Sequence, residues 1–230
     1  MRLSYTFQQV LKAVLLISLI VYTVWLLFLL HNSPFARNFP VVYGGVFVLF
    51  FILEVLAYKI AMPFAIGQGG EAIVHALLRN LPRAYVSLHD VTLGEKGNID
   101  EVVISPNGIW TLEVKNYKDG EITFENGVLC RNHYPINGDG KPLTQAYAEA
   151  INLQNHIRET LELYVPVTPV LIFANSKNTM KFGLEPINGV FVIGVDWLQK
   201  LLVPPNLPSR ITPENCVAIS DELRKYTSIM

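Results

Sequence analysis

Charge is scarce in this chain and scarcest at its start. Of 230 residues only 16% are charged and 51% are hydrophobic, with mean hydropathy +0.33, which excludes an ordinary soluble domain from end to end. Residues 1–66 hold only Arg2, Lys12, Arg37, Glu54 and Lys59. Their four basic and one acidic residues, set against the formal total of −1, leave the rest of the chain at −4. A strongly basic nucleic-acid footprint is therefore missing. Cysteine is nearly absent too: Cys130 and Cys216 could form one disulfide at most, so no disulfide framework exists. Cys130 with His133 makes one C-x-x-H without a second pair, which excludes a zinc finger. With 14 Pro and 15 Gly, no repeat and no low-complexity stretch, collagen-like and disordered classes are excluded as well.

What is abundant is apolar sequence in two runs. Ala13 to Leu30 is free of charge, and a second run extends from Val41 to about Ile66. A hydrocarbon core takes roughly 20 residues of helix to cross, so two transmembrane helices, about 13–30 and 41–63, are expected in a membrane region of residues 1–66. A cleaved signal peptide fits less well, because no small-x-small site follows the first run. Basic residues flank both ends of the pair, at Arg2 and Lys12 and again at Lys59, Arg79 and Arg83, while the connecting loop has only Arg37. That bias places both ends inside, in a bacterial-type inner membrane, with the C-terminal domain cytoplasmic. Glu54 reads as an interfacial residue snorkelling with Lys59; the alternatives are a proton or ion site, or a polar contact between protomers of a homo-oligomer.

Residues 67–205 carry the expected domain and 206–230 a tail. Glu71 to Leu81 has helical spacing and stops at Pro82. Short strands are expected at 84–88, 98–105, 109–117, 121–124 and 128–131, as a mostly antiparallel meander. A long helix follows from Pro142 or Thr144 to Leu163, then apolar strands at 169–174 and 189–195 and a short helix at 196–202. The pattern reads as an α/β sandwich around a central mixed sheet.

Ser105-Pro106-Asn107-Gly108 is a tight-turn sequence, so the runs on each side should form a hairpin. If Ser105 faces Gly108, Asp100 faces Glu113, and Lys115 shares the face of Glu113; a bulge at Gly108 would make the pairing diagonal. Neighbouring carboxylates repel unless a proton or cation resolves them. A divalent ion does so, since carboxylates, waters and a backbone carbonyl suit the oxygen shell of Mg²⁺, and a lysine beside it can meet a phosphate oxygen.

These residues, D-x12-E-x-K at Asp100, Glu113 and Lys115, resemble the PD-(D/E)xK restriction-endonuclease-like superfamily, although Ile99 stands where its name has Pro. More specifically the chain is similar to the nuclease-related domain (NERD) family. The matching pieces are G-x-x-G-E at Gly67, Gly70 and Glu71, the I-D-E-V-V-I-S-P-N-G-I segment from Ile99, E-V-K-N-Y from Glu113, P-L-x-Q at Pro142, Leu143 and Gln145, and the apolar V-L-I-F-A strand. The resemblance implies a restriction-endonuclease-like sandwich in which Asp100, Glu113 and the backbone carbonyl of Val114 bind Mg²⁺ or Mn²⁺. It implies that Lys115 assists at the phosphate, that Glu71 and Gln145 line the same site, and that the substrate is nucleic acid, DNA before RNA. The rival reading is a non-catalytic nucleic-acid- or protein-binding module tethered to the lipid bilayer. Tyr117, Lys118, Lys177 and Lys181 are further candidates for backbone contact, and His75 reads as a half-buried helix residue.

Overall fold

The computed structural model describes residues 40–227 except 95–96, 137–140 and 205–207, together with residues 17, 18, 20–25, 28 and 32. The chain divides into two compact units, Met1–Gly69 and Gly70–Met230. The first expected span, 13–30, lies largely outside the described residues. The second lies on helix α1, Pro40–Leu78, which begins in the first unit and ends in the second. Where the sequence suggests a break at Gly67-Gln68-Gly69-Gly70, the helix continues. Alanines and long apolar side chains around the glycines offset their cost of roughly 1 kcal/mol each, and α1 ends only ahead of Pro82.

Among the described residues no helix is long and apolar enough to cross a membrane. Most of the side chains described on the first half of α1 are apolar and exposed, among them Val41, Val48, Leu49, Ile52, Leu53 and Leu56. The side chain of Glu54 is outside those described.

The second unit is mixed α/β with a central mixed sheet. Its strands are β1 (Val86–Thr92), β2 (Asn98–Ser105), β3 (Gly108–Lys115), β4 (Gly120–Glu125), β5 (Val128–Arg131), β6 (Tyr134–Pro135), β7 (Val167–Phe173), β8 (Asn178–Met180), β9 (Pro186–Ile187) and β10 (Val190–Gly194). Its further α-helices are α2 (Pro142–Leu161), α3 (Leu198–Leu202) and α4 (Pro213–Leu223). The strands form two sheets rather than one meander, ordered β1-β2-β3-β7-β10-β9 and β6-β5-β4-β8. In the larger sheet β1, β2 and β3 are antiparallel, and β3, β7 and β10 are parallel.

Local chemistry sets the turns. Asn126-Gly127 and Asn188-Gly189 both adopt positive φ, at 51° and 80° and at 50° and 81°, as two-residue hairpin loops require. The strand period of two then sorts the core. Val102, Ile104 and Ile109 pack with Leu153 and Ile157 of α2 and Ile219 and Leu223 of α4. Val103, Trp110, Leu112 and Val114 pack on the other side with Val74 and Leu78 of α1 and Leu198 and Leu202 of α3. Both faces of the sheet are covered, which is why β3 and β7 read as unbroken apolar runs. Residues 206–230, expected as a tail, include α4, capped by the Thr212 hydroxyl on Asn215 N and holding Ile219 and Leu223 at 0% exposure.

One glycine has a packing reason. A Cβ on Gly70 would lie 2.6 Å from Asn116 Cβ and 3.3 Å from Ala174 Cβ, so α1 meets the ends of β3 and β7 without a side chain between; at Gly67 none of the described residues lies within 4 Å. Gly70→Ala is expected to destabilise the protein by about 1–3 kcal/mol and Gly67→Ala to be neutral or stabilising, as read by thermal unfolding.

Candidate functional site

The ladder between β2 and β3 runs from Glu101 facing Leu112 to Ser105 facing Gly108 without a shift. Ser105 Oγ accepts from Asn107 N at 3.0 Å and locks the turn. The same register brings Asp100 to Glu113 one step beyond the ladder. There the Asp100 side chain replaces the backbone bond, its Oδ2 accepting from Val114 N at 2.8 Å. In β3, Lys115 ion-pairs through Nζ with Glu113 Oε1 and donates to Gln145 Oε1 at 3.4 Å. Gln145 Nε2 in turn donates to Glu149 Oε1 at 3.0 Å. A polar chain thus joins the end of β3 to the first turns of α2. Glu71, on the second-unit part of α1, is half-buried and feels the charges of Asp90, Glu113 and Lys115.

The sequence candidates Asp100, Glu113, Lys115, Glu71 and Gln145 therefore converge, and Val114 takes part through its N–H. Glu149 is a member that sequence reading missed. It sits one turn after Gln145 on the face that carries Ala146, Ala150 and Leu153, and it is 6% exposed. The available signal was a carboxylate on the apolar stripe of an amphipathic helix. Glu101 was missed as well: it points to the opposite face of the sheet, is 2% exposed, and meets His75 Nδ1 at 3.1 Å. His75 lies edge-on to His89, ring centres 5.1 Å apart.

Acid is concentrated where water is excluded. Burial, then the charge of Glu113, raises Asp100 to about 7 against the bond from Val114. Burial, then Asp100, raises Glu101 to about 8, and burial, then Glu113, raises Glu149 to about 9. Glu71 is raised by burial first and by Asp90 and Glu113 next. Burial lowers Lys115, but the bond and charge of Glu113 outweigh it, so its pKa is raised and its ammonium persists at neutral pH. Such clustering of perturbed groups is typical of functional sites.

Among the described residues the buried oxygens Glu113 Oε2 and Glu149 Oε2 have no donor other than each other, and sharing a proton with Glu113 helps to raise Glu149. Crowded hard oxygens beside Asp100 that a proton must otherwise reconcile are the donor chemistry that a divalent cation such as Mg²⁺ or Mn²⁺ accepts, so the residues fit that ion. Among the described residues no group of three or more His, Cys, Asp and Glu side chains is placed to hold a metal. The fit rests on the two carboxylates of Asp100 and Glu113, with Val114 beside Asp100 through its N–H. Of the outlying cations, Lys177 lies 3.5 Å from Asp119 and Lys181 3.6 Å from Glu121, both exposed.

Comparison with known proteins agrees with this geometry at the level of family. An uncharacterized protein of Bacillus anthracis is 39% identical over 57 residues, a stretch that is 23% of this chain and 27% of that protein. The chain thus spans about a quarter of that relative's length. No solved structure matches. Residues 66–174 match the nuclease-related domain, NERD, a segment that holds Glu71, Asp100, Glu113, Lys115, Gln145 and Glu149 together, and the match supports placing that segment in the NERD family.

Proposed function

We propose that this chain is a membrane-anchored nuclease, with a restriction-endonuclease-like domain that hydrolyses phosphodiester bonds of nucleic acid, DNA before RNA, in a reaction dependent on Mg²⁺ or Mn²⁺. The observation that carries the reading is the polar chain Glu113–Lys115–Gln145–Glu149 beside Asp100, a cation and several carboxyls held in an otherwise apolar sandwich. Ionisable groups are buried in this density at a cost that packing alone does not explain.

In this reading Asp100, Glu113 and the Val114 carbonyl hold the metal. The ion, when bound, polarises the phosphoryl oxygen and lowers the pKa of water. Lys115, kept cationic by Glu113, meets the charge that develops on the phosphate. Gln145 fixes the Lys115 ammonium from α2, and Glu149 fixes Gln145. Glu71, with its raised pKa, stands where it can exchange a proton with the reacting groups.

Anchoring rests on the uncharged run 13–30 and on the exposed apolar side chains of α1, a surface that water does not favour. The basic residues flanking the two apolar runs support an orientation with both flanks on the inner side and the catalytic unit in the cytoplasm.

Incubation of the full chain with circular DNA, as the single strand and as supercoiled plasmid, and Mg²⁺ or Mn²⁺ tests the activity. Cleavage of at least one form by the wild type, lost with a chelator and in Asp100→Asn, is expected. Binding of either form with cleavage of neither under any divalent ion would instead make the domain a binding module.

A further inference from the structure

Beside the carboxylates the smaller sheet opens a cavity of about 450 Å³, lined by Tyr117, Arg131, Asn132, Tyr134, Pro135 and Ile136. Tyr117 follows Lys115 by two residues and tilts against Phe173, ring centres 5.9 Å apart. It feels the charges of Lys115 and Glu113 as well as that of Arg131, so Tyr117 ties the cavity to the carboxylate site. Arg131 is oriented by donating from Nη1 to the Lys118 carbonyl at 3.3 Å. Tyr134 is 78% exposed. The hairpin that presents it turns through Asn132 and His133, at φ 51° and 65°, a backbone that fixes the strand following it. A tyrosine held at the surface by a tight turn, with its ring largely in water, has little to do for the core.

The chemistry of this wall is two aromatic faces and one guanidinium. Duplex DNA is bound mainly by neutralising rows of phosphates with lysine and arginine. Here the chain beyond residue 66 carries −4, and Lys177 and Lys181 face Asp119 and Glu121. Stacking of bases on aromatic rings needs no such row, but it needs bases that are not already stacked and paired.

We propose that the cavity takes an unpaired nucleobase against Tyr117 and Tyr134 and its phosphate against Arg131, so that the substrate is single-stranded nucleic acid or an unpaired end or flap. The next phosphate of such a strand then leads toward Lys115. The position of that phosphate rests on the nuclease reading; the binding of the base does not.

The test is fluorescence anisotropy of a short labelled single strand and of the same sequence as a duplex, titrated with the full chain in chelator so that nothing is cleaved. The single strand is expected to bind more tightly, with a slope of log affinity on log salt of only about one. Tyr134→Ala is expected to weaken single-strand binding about tenfold and Tyr134→Phe to restore most of it, with duplex binding unchanged by either. Tyr134 being exposed, neither change disturbs the core. Equal affinity for the two forms, or no loss in Tyr134→Ala, overturns the proposal. Single-strand binding with these effects but no cleavage under any metal keeps it and overturns the nuclease reading; duplex cleavage undiminished in Tyr134→Ala does the reverse.

Discussion

Lys115→Ala is expected to lower cleavage by about two to three orders of magnitude, the scale for removing one preorganised group that meets developing charge, while metal binding survives. The expectation follows from where Lys115 is held. Its ammonium has Glu113 on one side and Gln145 on the other, and it remains charged because Glu113 outweighs the cost of burial. A cation placed in advance needs no reorganisation when the phosphate becomes more negative. Glu113→Gln differs: it removes a proposed metal ligand and the partner of Lys115 together, so both metal uptake and turnover are lost. Single-turnover cleavage with metal titration on the same samples separates the two, and a Lys115→Ala protein that cleaves at the wild-type rate would remove Lys115 from the site.

Stripped of divalent metal, the protein is expected to lose stability steadily as pH rises from about 4 to 9. Asp100 moves from 3.8 to about 7, Glu101 from 4.5 to about 8 and Glu149 from 4.5 to about 9. Each is raised in the folded state, so between the two values the folded protein holds a proton that the unfolded chain has released. Stability is then full below the unfolded value and declines until the folded value is passed. Glu149→Gln imitates the protonated form and keeps the acceptor for Gln145. Its melting temperature in chelator should exceed wild type by more than about 5 °C at pH 8, given about 1.4 kcal/mol per pKa unit and about 2–4 °C per kcal/mol at this chain length. At pH 4 the two should melt together. Adding Mn²⁺ should flatten the wild-type curve, because the ion takes the place of the protons. A metal-free protein whose stability rises from pH 5 to 9 would contradict the placement of these acids.

The readable parts of the sequence were those governed by local rules. The turn Ser105-Pro106-Asn107-Gly108 narrowed the β2–β3 register to direct or bulged pairing, and the structure takes the direct one, with Ser105 facing Gly108 and Asp100 approaching Glu113. Val128–Arg131 was placed to the residue as a short apolar run, and the structure starts it directly after the tight turn at Asn126-Gly127. The missed features depend on contacts far apart in the chain. Whether Tyr117 to Ile136 continues the central sheet or builds a second one is decided by β8 pairing with β4, which nothing local announces. α4 lies in the segment expected as a tail; its apolar positions Cys216, Ile219 and Leu223 are few, yet they complete the face opposite α1 and α3. Glu149 and Glu101 were not singled out, since a carboxylate on a helix or strand is usually solvated; only the fold buries them. Continuation of α1 through its glycines was likewise hidden, since Gly70 serves a contact with Asn116 and Ala174 rather than a turn.

The central claim is a divalent-metal site built on Asp100 and Glu113. Isothermal titration of Mn²⁺ into the full chain, wild type beside the Asp100→Asn/Glu113→Gln double variant, tests it most directly. Saturable uptake with proton release in the wild type, absent from the double variant, is the predicted result. Equal uptake by both proteins, or none by either across pH 7 to 9, would contradict it.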